Sequence, residues 1–188
     1  AVGTATVLAG KMFDIPISGT MAHSWVMFYN DEFEAFKKYA ENYPDGTVLL
    51  VDTYDVLESG IPNAIRVAKE VLEPMGKLLL GIRLDSGDLA YLSKKARKML
   101  DDAGLTDCKI VVSNSLDEFT INSLLEQGAC IDSFGVGERM ITSKSEPVFG
   151  AVYKMAAVEE NGKFVPRIKV SENIEKITNP GLKKVLRV

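Results

Sequence analysis

Short apolar runs, each ending in a knot of small and charged residues, recur roughly every thirty residues along this 188-residue chain. Helical spacing of apolar residues fills most of the intervals. Ile15-Pro16-Ile17-Ser18 ends in Gly19-Thr20 and leads to His23 and Ser24. Thr47-Val48-Leu49-Leu50-Val51 ends at Asp52, with Asp55 close behind. Lys77-Leu78-Leu79-Leu80-Gly81 reads as a buried strand handing over to a turn that carries Arg83, Asp85, Ser86, Gly87 and Asp88. Lys109-Ile110-Val111-Val112 ends in Ser113-Asn114, and Ile131-Asp132-Ser133-Phe134 ends in Gly135-Val136-Gly137. Such a rhythm is that of an α/β fold, a parallel sheet or a (β/α) barrel, and apolar strands of this kind imply that both sheet faces are covered. Five units are too few for eight strands, so a partial barrel is expected.

The intervening helices have their own signals. One is expected from about Asp31 with Asn30 as N-cap and Phe33, Phe36, Tyr39 and Ala40 on one face. A second runs from about Ile61 to Leu72 with Pro62 in its first turn, and Ile61, Ile65, Ala68 and Leu72 inward. A third follows Asp88 and ends at Gly104, and a fourth opens at Asp117 and closes at Gly128. Beyond Ser145 the pattern alternates instead, over 148–158 and 163–170 around a Glu159-Glu160-Asn161-Gly162 turn. The expected division is therefore a partial barrel over residues 1–145 and a strand-rich segment of a second, incomplete domain over 146–188. Ala1 to Gly10 reads as the interior of a helix and residues 183–188 as strand-like alternation, so a fragment of a longer protein is expected.

Composition narrows the partners. The chain carries a net charge of −4, unevenly: residues 151–188 hold eight Lys/Arg against four Asp/Glu, so residues 1–150 sum to −8. An acidic body argues against nonspecific nucleic-acid binding, which needs a basic face. The apolar runs are far too short to span a bilayer. Cys108 and Cys130 are isolated and read as buried thiols of a reducing, cytoplasmic compartment.

Each polar knot has an ordinary explanation of its own: Ser86, Asp88, Asn114 and Asp117 as helix caps, Asp52 and Asp55 as turn formers, a lone histidine as a packed residue. In a parallel barrel, however, all five knots ring one mouth. Glycines there let backbone N–H groups approach an anion, Arg83 grips phosphate bidentately, and Asp52 and Asp85 suit ribose hydroxyls or Mg2+.

The ordered motifs Gly19-Thr20-Met21-Ala22-His23-Ser24, Asp52-Thr53-Tyr54-Asp55, Arg83-Leu84-Asp85-Ser86-Gly87-Asp88, Ser113-Asn114 and Gly135-Val136-Gly137-Glu138 resemble those of the nicotinate phosphoribosyltransferases. Gly3-Thr4, Lys169-Val170-Ser171 and Asn179-Pro180-Gly181 extend the resemblance over nearly the whole chain. It implies a type II phosphoribosyltransferase barrel that makes nicotinate mononucleotide and pyrophosphate from nicotinate and phosphoribosyl pyrophosphate. ATP is implied as co-substrate, Mg2+ as cofactor, and a homodimer as the full-length assembly. On the same resemblance His23 is the histidine phosphorylated by ATP, Asp52 orients its ring, and Arg83 and Asp85 hold the ribose phosphate and hydroxyls. Gly19, Thr20, Ser24, Arg83, Ser86 and Gly87 contact substrate, and Ser113, Asn114, Gly135 and Gly137 serve the 5′-phosphate. The neighbouring expectations are a nicotinamide- or quinolinate-using phosphoribosyltransferase, or a noncatalytic barrel module that binds phosphate ligands.

Overall fold

In the computed structural model, which describes residues 3–143, 153–169, 177, 179–181, 183, 184 and 186, four strands form one parallel sheet in the order β1-β2-β3-β4. They are β1 (Val48–Leu50), β2 (Gly81–Leu84), β3 (Lys109–Val112) and β4 (Ser133–Phe134). Register places Leu50 beside Arg83, Arg83 beside Val111, and Val112 beside Phe134. The carboxyl ends of all four strands therefore finish along one edge. The sheet is open among the described residues.

Helices pack against the sheet. α1 (Val7–Phe13), α2 (His23–Phe28) and α3 (Glu32–Asn42) precede β1. α4 (Ile61–Val67) joins β1 to β2, α5 (Leu89–Asp102) joins β2 to β3, and α6 (Glu118–Glu126) joins β3 to β4. A short α7 (Glu138–Ile141) follows. Leu49, Leu50, Val51, Ile82, Leu84, Ile110 and Val112 are fully buried and form a core with residues of α3, α4 and α5. Alternate positions Arg83 and Val111, on the opposite face of β2 and β3, are only half-buried. That face is covered unevenly: Leu50, which shares it, is fully buried on β1, whereas Arg83 and Val111 are half-buried on β2 and β3.

Several boundaries differ from the sequence expectation. Residues 15–20 form no strand; Ile17 makes a single parallel bridge with Thr4, and Ile15 and Ile17 are exposed. α1 begins only at Val7, after that bridge. The expected strand at 77–81 is displaced toward the C-terminus, because Leu78 and Leu80 are exposed and pairing starts at Gly81. Arg83 consequently lies inside β2 and not in the turn after it. Gly81 permits this pairing, since a Cβ there would stand 2.8 Å from the Lys109 carbonyl oxygen.

Caps account for most helix starts. The α3 cap is Asp31, one residue after Asn30, and accepts from the Glu34 N–H at 2.9 Å. Asp88 and Asp117 cap α5 and α6 through the N–H groups of Tyr91 and Thr120. Asp55 caps a π-helical turn, Val56–Gly60, that precedes α4, so the second helix begins earlier than its apolar spacing indicates. Ala68–Leu72 continues α4 as another π-helical turn. Gly60 makes the first of these turns possible: a Cβ there would fall 1.9 Å from the Val51 carbonyl oxygen, directly behind the end of β1.

The hairpin is shorter than its pattern. β5 (Ala157–Glu160) and β6 (Lys163–Pro166) pair antiparallel through Glu159 and Glu160, leaving Asn161-Gly162 alone as the turn. Both turn residues have positive φ, 51° and 76°, as a two-residue type I′ hairpin demands. Arg167 ties the hairpin back to the body by donating to Asn30 Oδ1 at 2.5 Å. The expected boundary at 145/146, residues 148–152 and Val170-Ser171 lie outside the described residues.

Candidate active site

His23 is the first residue of α2. Its helix is held from behind by Trp25, whose indole N–H donates to the Ala35 carbonyl at 2.8 Å and whose ring packs on Tyr29 and Tyr39. That anchoring turns the imidazole toward the end of β1. Nδ1 lies 3.0 Å from the Thr53 hydroxyl. Nε2 has no hydrogen-bond partner among the described residues and faces two carboxylates, 3.7 Å from Asp85 Oδ2 and 3.9 Å from Asp52 Oδ1. These separations are too long for hydrogen bonds but short enough for strong electrostatic attraction.

The two carboxylates are themselves fixed. Asp52 is 3 % exposed, and its Oδ2 accepts from the Asp85 N–H at 3.2 Å and from the Ser86 hydroxyl. Asp52 thus organises the turn after β2, while Thr53 and not Asp52 hydrogen-bonds the imidazole. Asp85 Oδ1 accepts from the Ser113 hydroxyl at the end of β3. Burial alone would raise the Asp85 carboxyl, but the His23 ring, the Ser113 hydroxyl and the Arg83 guanidinium outweigh it and hold it at about 2. Arg83 donates to the Thr20 hydroxyl and stands 3.9 Å from Asp85 Oδ1. Its Nε is buried without a partner.

Residues from four separated segments therefore converge: Thr20 and His23, Asp52 and Thr53, Arg83 with Asp85 and Ser86, and Ser113. Seven of these eight were legible as polar strand-end residues. Thr53 carries no such signal, although it sits inside the Asp52-Thr53-Tyr54-Asp55 motif; apolar strand patterning gives no sign that a fully buried threonine will meet a helix from elsewhere. Gly135 flanks the group through its N–H to the Val112 carbonyl at 2.8 Å, with space for a Cβ only 3.3 Å from Ser113 Cβ. Gly19 and Gly137 border open space, and Gly87 takes a positive φ in the turn before α5. Asn114 follows Ser113 with φ of 97°. Ser24 points elsewhere, lining an open cavity of about 590 Å3 with Tyr153, Met155 and Phe164. Asp55 is a helix cap and lies outside the cluster's bonding. Arg139, beside the acidic Glu138, pairs instead with Asp117 at 3.6 Å.

Behind the cluster lies a second buried carboxylate. Glu32 Oε2 accepts from the Ser59 hydroxyl at 2.5 Å and from Asn63 Nδ2 at 3.1 Å, and burial raises its carboxyl. It bolts α3 to the π-helical turn that carries Gly60, and so supports the end of β1.

Parallel α/β sheets place their ligand sites at the carboxyl ends of their strands, and here those ends gather an arginine, two carboxylates, hydroxyls and an imidazole. The model of the nicotinate phosphoribosyltransferase (NAPRTase) family matches residues 1–180, and the chain belongs to that family. The nicotinate phosphoribosyltransferase of Bacillus subtilis is 60 % identical over 185 residues, covering 98 % of this chain and 37 % of the relative. The crystal structure of the Porphyromonas gingivalis nicotinate phosphoribosyltransferase has the same fold, with a TM-score of 0.74 over 94 % of this chain and 48 % of that one at 21 % identity. The human nicotinic acid phosphoribosyltransferase structure gives a TM-score of 0.66 at 28 % identity, over 72 % of this chain and 37 % of that one. The chain thus spans between 37 % and 48 % of the length of these relatives.

Proposed function

We propose that this chain supplies the phosphoribosyl and ATP-coupling part of an enzyme that makes nicotinate mononucleotide and pyrophosphate from nicotinate and phosphoribosyl pyrophosphate, in NAD salvage. The observation that carries the proposal is His23 Nε2, buried without a hydrogen-bond partner between Asp52 and Asp85. A nitrogen so placed suits a nucleophile toward the γ-phosphate of ATP, with the two carboxylates stabilising the positive charge that the ring gains. Arg83 grips a phosphate oxygen from inside β2, and Asp85, kept ionised down to about pH 2, accepts from ribose hydroxyls. At the ends of β3 and β4 the backbone N–H of Gly137, with Asn114 beside it, serves the 5′-phosphate, while Ser113 and Gly135, whose donors go to Leu84, Asp85 and Val112, shape the cradle. Glycosyl transfer of this kind passes through an oxocarbenium-like state, so fixed position and fixed charge carry the rate.

Mg2+ fits the residues present. Asp52 Oδ1 is buried without a hydrogen-bond partner among the described residues, and it and Asp85 Oδ2 lie 3.9 Å and 3.7 Å from His23 Nε2. One or two carboxylates completed by substrate phosphates is the donor set Mg2+ prefers. Bound there, the ion would neutralise phosphate charge. Residues 1–145 as a partial barrel, 146–188 as part of a second domain, the cytoplasmic location and the homodimer belong to the same proposal. Exposed Val7, Leu8, Met12 and Phe13 on α1 give apolar area for a partner subunit to cover. Among the described residues no helix is long and apolar enough to cross a membrane.

The test offers the full-length protein nicotinate, nicotinamide and quinolinate in parallel, each with phosphoribosyl pyrophosphate and Mg·ATP. Mononucleotide and pyrophosphate from nicotinate, with ADP released alongside, is the expected result. Preferential turnover of another base would move the protein to a different substrate. Binding of phosphoribosyl pyrophosphate with no product from any base would make it a noncatalytic module.

A further inference from the structure

We propose that Thr53 is the positioning residue that makes Nε2, and not Nδ1, the reactive nitrogen of His23; this rests on the reading of His23 as phosphate acceptor. An imidazole attacks from whichever nitrogen lacks a proton, so its reactive atom is chosen by what the other nitrogen bonds. Nδ1 faces the Thr53 hydroxyl at 3.0 Å, while Nε2 faces only the gap between Asp52 and Asp85. A hydroxyl can accept from Nδ1–H, which leaves the Nε2 lone pair free.

Three features hold the Thr53 hydroxyl in place. It is fully buried. Its β-branched side chain has few rotamers. It also lies two residues beyond Val51, whose carbonyl oxygen is backed by Gly60 so closely that not even a methyl would fit. On the other side Trp25 fixes α2, so ring and hydroxyl are held from separate elements. The arrangement also keeps Nδ1 away from any incoming phosphate. When Nε2 attacks, an Nε2–P bond forms and the γ-phosphorus bond to its bridging oxygen breaks, with the electron pair leaving on ADP. The Nδ1 proton stays on the ring, held by Thr53 Oγ1. The resulting ring cation faces the two carboxylates.

The full-length protein is tested as wild type, Thr53→Val, Thr53→Ser and His23→Asn. Phosphoenzyme formed with Mg·ATP is followed by rate and by 31P NMR, which separates the two phosphohistidine isomers. The ring nitrogens of His23 are followed by 15N NMR, identified by their loss in His23→Asn. The wild type is expected to carry phosphate on Nε2 alone. Thr53→Val, nearly isosteric, should slow phosphorylation about 10-fold to 100-fold, the loss of one hydrogen bond to a charged group, and admit the Nδ1 isomer. Thr53→Ser keeps the hydroxyl and should restore both rate and isomer, which a purely structural role for the threonine methyl would not explain. Nδ1 phosphate in the wild type, or an unchanged rate and isomer in Thr53→Val, would overturn the proposal. Should the wild type take no phosphate, the phosphohistidine reading falls and the ring signals judge Thr53 alone. A bonded Nδ1 proton lost in Thr53→Val supports the positioning role; identical ring shifts in the two proteins overturn it.

Discussion

The two ends of the candidate site are built by different means. Around β1 and β2, side chains from distant segments answer one another: Asp52 takes the Ser86 hydroxyl and the Asp85 N–H, Asp85 takes the Ser113 hydroxyl, and Arg83 gives to Thr20. Around β4 the backbone does the work. Gly135 and Gly137 have no side chains to lock, and β4 itself contains only two residues. A locked end suits chemistry, where an ångström of misplacement is costly. A backbone end suits holding a phosphate, whose oxygens accept an N–H such as that of Gly137 whatever the neighbouring side chains, while Gly135 spends its own N–H on Val112 and keeps the turn close to β3. The difference separates the proposed acceptor of the ATP phosphate from the proposed 5′-phosphate cradle.

The largest expected effect breaks the locked end. Asp85→Asn removes a charge facing both His23 and Arg83, and turnover of the full-length enzyme should fall about 100-fold or more with its fold intact by circular dichroism. Gly60→Ala strikes the same end from behind. Its methyl would collide with the Val51 carbonyl, so stability should drop by about 1–3 kcal/mol in urea unfolding, and phosphoryl transfer to His23 should slow as β1 shifts.

An acid titration of stability gives a smaller effect. The folded protein holds Asp85 at about 2 against an ordinary 3.8, so it favours the ionised form. The stability this contributes is complete above the ordinary value and is lost as pH falls toward about 2. Wild type should therefore lose more stability than Asp85→Asn between pH 4 and pH 2, the reverse ordering being incompatible with the geometry.

The smallest effects sharpen the other end. Gly135→Ala places a methyl 3.3 Å from Ser113 Cβ and should raise KM for phosphoribosyl pyrophosphate only several-fold with kcat nearly kept. Gly137→Ala meets open space in the described structure, so a larger KM rise there than at Gly135 would locate the bound phosphate nearer Gly137.

How much of this was legible can be read from single residues. Asp88, Asp117, Gly104, Gly128 and Asn161-Gly162 did what local chemistry says, because caps and turns are satisfied within a few residues of chain. The polar residues of the locked end were visible as a series of strand-end motifs. Residues 77–80 misled, since an apolar run says that burial is available but not which four residues the neighbouring strand will pair. Pairing with β1 and β3 selected Gly81–Leu84 and moved Arg83 into the sheet. Ile15 and Ile17 misled for the same reason: they have strand chemistry without a sheet to join, so Ile17 makes one bridge with Thr4 and Ile15 donates its N–H to the Gly10 carbonyl of α1. The division of labour between Asp52 and Thr53 was hidden because it depends on where α2 docks, which Trp25 and α3 decide across the fold.

The central claim is that His23 accepts phosphate at the locked end, and mass spectrometry of the full-length protein after incubation with Mg·ATP tests it directly. The account predicts a gain of one phosphate that is labile to acid, stable to alkali, and absent from His23→Ala. No gain in the wild type, or an equal gain in the variant, would contradict it.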